Sequence, residues 1–287
     1  MATGVAVRKK GHVAPDIIVI GAMRAGTTTL YEMMRATGTV SVPRMKETDF
    51  FLGKQYQRGL SWLNGQYDDL NKPIVDVSPN YAKRFVFPSV AKRIHETNPD
   101  VKLIYIVRDP VKRAISQYKH LTAMGYELKL PHETEPRIGE CVGDASLYYE
   151  QLKPYLEYWP IDQIEILEFE DLIEDQWGTL ERLYARLGLP EFTVADKEIH
   201  TNSADQLQRV PHWWGQLRNT PFFEWLRSKT PRGMVGRVKS ILFHGQGNTM
   251  ETVEFPETAI QKLQQNLADD VQALRDLTGR SFDRWSI

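Results

Sequence analysis

The stretch Pro15-Asp-Ile-Ile-Val-Ile-Gly-Ala-Met-Arg-Ala-Gly-Thr-Thr-Thr-Leu30 decides the fold. Ile17 to Ile20 is a short β-branched run of the kind that forms a parallel strand buried on both faces. Gly21 and Gly26 bracket a tight loop. Thr27, Thr28 and Thr29 then offer hydroxyls at a helix start, and helix formers continue from Leu30 to Arg35. A strand, a glycine loop and a helix N-terminus converge backbone N–H groups and the positive end of a helix dipole on one point. That is a cradle for a phosphate-like anion. The two glycines have the Walker A spacing, but Thr27 takes the lysine position, so the cation that reaches the β- and γ-phosphates of a nucleoside triphosphate is missing. Arg24, inside the loop, is placed to touch a terminal anion from the side.

Working outward, Val101 to Val107 is the clearest strand, and Arg108-Asp109-Pro110 ends it. Pro110 suits the first turn of a helix predicted over 111–124. Arg108 thus falls at the carboxyl end of a buried strand, where ligands bind in open α/β sheets. Ser116 falls roughly two turns into the following helix. A guanidinium fork with a hydroxyl is a receptor for a second phosphate. Further short strands are expected at 39–43, 73–78 and 163–169, and helices at 89–98, 146–158, 177–187 and 257–278. This alternation predicts a three-layer, doubly wound, mainly parallel α/β sheet of about five strands with a P-loop-like turn. Residues 1–14 read as a flexible tail and 15–287 as a single domain.

The 41% apolar and 25% charged content is that of a soluble globular chain, and a net charge of −1 supplies no field for nucleic acid or an anionic membrane. The single Cys141 excludes an intramolecular disulfide and fits a reducing compartment. No run approaches the ~18–20 apolar residues of a membrane span, and no apolar segment follows the basic Arg8-Lys9-Lys10 as in a secretory signal. A cytoplasmic location is expected. The seven histidines are scattered without metal-ligand spacing, and G-x-S-x-G is absent, which argues against a metal centre and a serine hydrolase.

Together these segments resemble the PAPS-dependent sulfotransferases, particularly the branch of the heparan sulfate sulfotransferases and their bacterial relatives (PAPS is 3′-phosphoadenosine 5′-phosphosulfate). The family's 5′-phosphosulfate loop is similar to Gly21–Leu30, its 3′-phosphate motif to Arg108-Asp-Pro-Val-Lys-Arg-Ala-Ile-Ser116, and its K-E-x-x-F-F segment to Lys46-Glu47-Thr48-Asp49-Phe50-Phe51. Glu170-Asp171-Leu172 resembles its strand-end acidic pair, and Leu277 to Trp285 its C-terminal ending.

The resemblance implies sulfuryl transfer from PAPS, leaving PAP, to a hydroxyl or amine of a small-molecule, lipid or carbohydrate acceptor, with no metal. It assigns Arg24, Ala25, Gly26, Thr27, Thr28 and Thr29 to the phosphosulfate, and Arg108 and Ser116 to the 3′-phosphate. A late cofactor loop would fall at His244-Gly245-Gln-Gly247-Asn248. Glu47 is the implied base, its pKa raised by burial near Phe50 and Phe51, with His120 as the other candidate. Arg24 would also act on the leaving phosphate.

Val77 stands where the heparan enzymes carry a second lysine, a departure that weighs against a polyanionic glycan. Trp213, Trp214, Phe222, Phe223 and Trp225 suit either an apolar acceptor or a core. Two other readings of the chain are a P-loop-type small-molecule kinase and a non-catalytic nucleotide-binding module. The residues leave open whether the chain is a monomer or a homo-oligomer.

Overall fold

A computed structural model describes residues 13–124, 142–194 and 255–287. Four parallel strands, β1 (Ile17–Gly21), β2 (Val75–Val77), β3 (Lys102–Val107) and β4 (Ile164–Glu168), form one sheet in the order β2-β1-β3-β4. The apolar runs become strands because both faces are covered: all of β1 and β2, and β3 beyond Lys102, is buried. Register is set by pairs such as Ile17↔Val75 and Ile18↔Leu103.

The segment expected as a strand at 39–43 is reduced to a single parallel bridge, Ser41↔Ile74. Ser41 exchanges backbone bonds with Pro73 and Val75, but Pro43 has no N–H to extend the ladder.

The chain leaves β1 through α1 (Thr27–Thr37), passes α2 (Gly59–Asn64) and enters β2. It then crosses over β1 by way of α3 (Val90–Thr97) to reach β3 on the other side. The helices α4 (Pro110–Ala123) and α5 (Tyr148–Leu156) lead to β4, and α6 (Phe169–Glu174), α7 (Gln176–Leu187) and α8 (Glu257–Thr278) complete the described chain. Because β1→β2 and β2→β3 run in opposite directions, right-handed crossovers place α1 and α3 on opposite faces. The contacts agree: α1 packs on α7, whereas α3, α5, α8 and α4 pack in succession.

Two helix stops follow the expected chemistry, with Gly188 and Gly279 in the left-handed region beyond α7 and α8. Ser89 sits at the start of α3, but its hydroxyl makes no capping bond. The strand order reverses between β1 and β3, so the loops after these two strands border the crevice at the carboxyl edge of the sheet.

Candidate functional site

The loop after β1 turns at Arg24, which adopts φ +67°, and at Gly26, with φ +88°. Gly26 is required twice over: its conformation suits glycine, and a Cβ there would lie 2.8 Å from the Phe169 ring. The turn closes with Ala25 N–H donating to the Ala22 carbonyl, and the first helical bond runs from Leu30 N–H to Gly26. No side chain caps α1, so the amides of Thr27, Thr28 and Thr29 have no backbone acceptor among the described residues. Thr27 and Thr29 are buried while Thr28 is exposed.

Arg108, next after β3, reaches across this loop. Its Nη1 donates to the Arg24 carbonyl at 3.2 Å, and its guanidinium lies 4.5 Å from the Phe169 ring centroid. Tyr148 clamps its backbone, the hydroxyl accepting from Arg108 N–H and donating to its carbonyl. Arg24 Nε donates to Ser116 Oγ at 3.2 Å, so the loop and α4 meet through two residues expected to bind different phosphates.

The neighbouring acid does not neutralise Arg108. Asp109 instead accepts from Val111 and Lys112 N–H as the cap of α4, and also from Ser286 N–H. Among the described residues neither Arg24 nor Arg108 has a carboxylate ion pair, and Arg108 Nε is buried without a partner. Burial lowers the pKa of both guanidiniums, and for Arg24 the adjacent Arg108 lowers it further. Two guanidiniums without a carboxylate ion pair among the described residues and an open helix terminus therefore border one crevice, with the Glu170 and Asp109 charges acting on Arg108 from nearby.

Glu47 lies beside the carboxyl end of β2. It has φ +65°, its N–H donates to the Val77 carbonyl at 3.1 Å, and its carboxylate accepts from Lys46 Nζ at 2.5 Å. The expected apolar burial is absent, since the Glu47 side chain is 39% exposed. The left-handed turn sends Phe50 and Phe51 into a cluster with Tyr56, Trp62 and Tyr81 and leaves Glu47 outside it.

Under this turn the fully buried Asp76 accepts from Thr48 and Tyr81 hydroxyls at 2.9 and 2.6 Å, and burial pushes its carboxyl up to about 6 against those bonds. Asp49 is also raised by burial, with Asn80 donating to both of its oxygens. His120 lies on α4 one turn beyond Ser116 and is half-buried.

Residues with a bearing on this geometry that carry no motif include Arg113, Phe169, Asn80 and Lys83. Arg113 is fully buried and ties the Met23 carbonyl to Ser146, Gln117 and the Val142 carbonyl. Its only signal in the sequence is a position between Arg108 and Ser116. Gly245, Gly247 and the aromatics Trp213, Trp214, Phe222, Phe223 and Trp225 lie outside the described residues. Among the described residues there is no metal-ligand cluster, and no helix is long and apolar enough to cross a membrane.

Residues 14–236 match the family model described as a sulfotransferase domain. Heparan sulfate glucosamine 3-O-sulfotransferase 6 of Mus musculus is 30% identical over 198 residues, covering 66% of this chain and 56% of that protein. The 3-O-sulfotransferase 3B1 of the same species is 30% identical over 202 residues, covering 66% of this chain and 49% of its own. The chain spans about half the length of these curated relatives. Among solved structures, a sulfotransferase from Alicyclobacillus acidocaldarius superposes with a TM-score of 0.64 at 20% identity, covering 96% of this chain and 100% of that one. That likeness is one of fold.

Proposed function

Because the chain belongs to the sulfotransferase domain family, we propose that it transfers a sulfuryl group from PAPS to a hydroxyl or amine of an acceptor. The reading is carried by one observation: Arg24 and Arg108 lie together, without a carboxylate ion pair among the described residues, beside the uncapped start of α1.

PAPS supplies an activated sulfuryl group on a phosphate leaving group. In transfer, the acceptor oxygen or nitrogen bonds to sulfur as the bridging S–O bond breaks, and the electron pair stays with the departing phosphate. This is the in-line logic of phosphoryl transfer. The amides and hydroxyls of residues 26–29 and the Arg24 guanidinium stabilise charge gathering on that phosphate. Arg24 keeps its proton and acts as a fixed cation. Arg108 and Ser116 receive the 3′-phosphate, Phe169 holding the guanidinium plane from behind. Glu47 takes the acceptor's proton, its place fixed by the Val77 carbonyl and by Lys46. The backbone hydrogen bond to Val77, the last residue of β2, gives this carboxylate the positional precision that proximity catalysis needs.

The acceptor class extends to small molecules, lipids and carbohydrates; the heparan sulfate named for the relatives is one member of that range. The single domain over 15–287, the cytoplasmic setting and the late loop at Gly245 and Gly247 belong to the same proposal.

Binding of Arg108→Ala to two nucleotides tests it. PAP affinity should fall by roughly one to two orders of magnitude, the loss of about two charge-assisted hydrogen bonds. Affinity for adenosine 5′-phosphosulfate, which lacks the 3′-phosphate, should change less than about threefold by the same reasoning. Equal losses for both ligands would refute the 3′-phosphate role.

A further inference from the structure

Beside the cradle lies a second depression of about 390 Å³, bounded by the 49–52 turn, residues 80–87, α4 and the 144–151 segment. It adjoins the donor crevice through Arg113, which bonds Gln117 in its lining and the Met23 carbonyl of the cradle. Leu52, Phe85 and Phe87 give it an apolar wall, and Val86 at its mouth is 44% exposed. Among the described residues Asp49, Asp144 and Lys83 are the charged groups in that lining.

The cation is distinctive. Lys83 is half-buried, and its ammonium makes no hydrogen bond or ion pair among the described residues. Asn80 occupies the Asp49 carboxylate, and the Arg113 guanidinium is taken up by Ser146, Gln117 and two carbonyls. A half-buried charge without a partner costs free energy that a ligand anion would relieve. Burial and the nearby Arg113 lower the Lys83 pKa, while the Asp49 and Glu47 carboxylates act to raise it.

Resting on the sulfotransferase reading above, we propose that this depression receives the acceptor and selects a small alcohol or amine with an apolar body and a single anionic group, which Lys83 binds. One anion is matched by one free cation. A polyanionic chain would bring further negative charges against Asp49, a repulsion that discriminates against it. The apolar wall accounts for the body of the ligand, as in most small-molecule sites.

The binding test uses the full chain saturated with PAP and compares three kinds of probe: the acids 4-hydroxyphenylacetate and 10-hydroxydecanoate, their methyl esters, and a heparan sulfate hexasaccharide. At least one acid should bind about tenfold more tightly than its ester, the factor expected of one charge-assisted contact. With PAPS in place of PAP, that acid should also support release of PAP. Lys83→Gln should erase the acid–ester gap while PAP affinity stays within about twofold, and Lys83→Arg should retain it.

Acids that bind no better than their esters, a gap that survives in Lys83→Gln, or tighter binding of the hexasaccharide would each overturn the acceptor proposal while PAP binding stands. Failure of PAP to bind the parent chain would remove the donor reading and this proposal together.

Discussion

At the scale of single residues, the site depends on cationic side chains whose charge is left without a local ion pair among the described residues. Arg108 could have paired with Asp109, but that carboxylate caps α4, which frees the guanidinium for the crevice. Glu47 is the corresponding acid, half-exposed and steadied by Lys46. Removing only its charge is the sharpest test of its role. Glu47→Gln should lower kcat by about 10²- to 10⁴-fold, the usual worth of a general base, with PAP affinity within about twofold of the parent. A wild-type rate would transfer the base role to His120. Much at this scale was legible, because the glycine loop, the helix start and the Arg108–Ser116 spacing are all local patterns. Phe169 was not, since it reaches Arg108 only through the fold, 61 positions along the chain. Neither was the exposure of Glu47: the aromatics beside it suggested burial, and the left-handed turn at Glu47 separates them.

At the scale of elements, β2 and the residue after it support the proposed base. Val77 fixes Glu47, Ser78 Oγ accepts from Asp49 N–H, and Asp76 gathers Thr48 and Tyr81 beneath them. Burial holds the Asp76 carboxyl near 6, above its ordinary 3.8. The folded chain therefore binds that proton more tightly than the unfolded one. The resulting stabilisation is complete below about pH 4 and is lost as pH rises through about 6. Asp76→Asn should flatten the fall in Tm across this window, by the equivalent of at most ~3 kcal/mol. Asp270, raised by burial to about 6 as well, would leave a residual slope. A pH profile identical to the parent's would mean that Asp76 is not the titrating group. The strands of the central sheet were readable as continuous apolar runs. The expectation at 39–43 shortened to a bridge because strand length depends on which partner has N–H groups to offer, and Pro43 offers none.

At the scale of the whole molecule, the sheet order β2-β1-β3-β4 explains why distant motifs converge. Crossovers of opposite direction leave a crevice between β1 and β3, and the two segments proposed to bind the phosphates follow those strands. The alternation of elements sufficed to anticipate a doubly wound fold. The depression lined by Lys83 was not legible, because its walls come from the 49–52 turn, residues 80–87, α4 and the 144–151 segment, which no local spacing relates.

The central claim is that the crevice is built for a nucleotide carrying a 3′-phosphate, and thermal unfolding tests it most directly. The chain would be melted alone, with PAP, with adenosine 5′-phosphate, and with ATP and magnesium. PAP at ~100 times its Kd should add ~2.7 kcal/mol and raise Tm by several degrees, with adenosine 5′-phosphate at the same concentration shifting it far less. Equal shifts from PAP and adenosine 5′-phosphate, or a shift from ATP and magnesium alone, would contradict the account and favour a kinase-like or general nucleotide site.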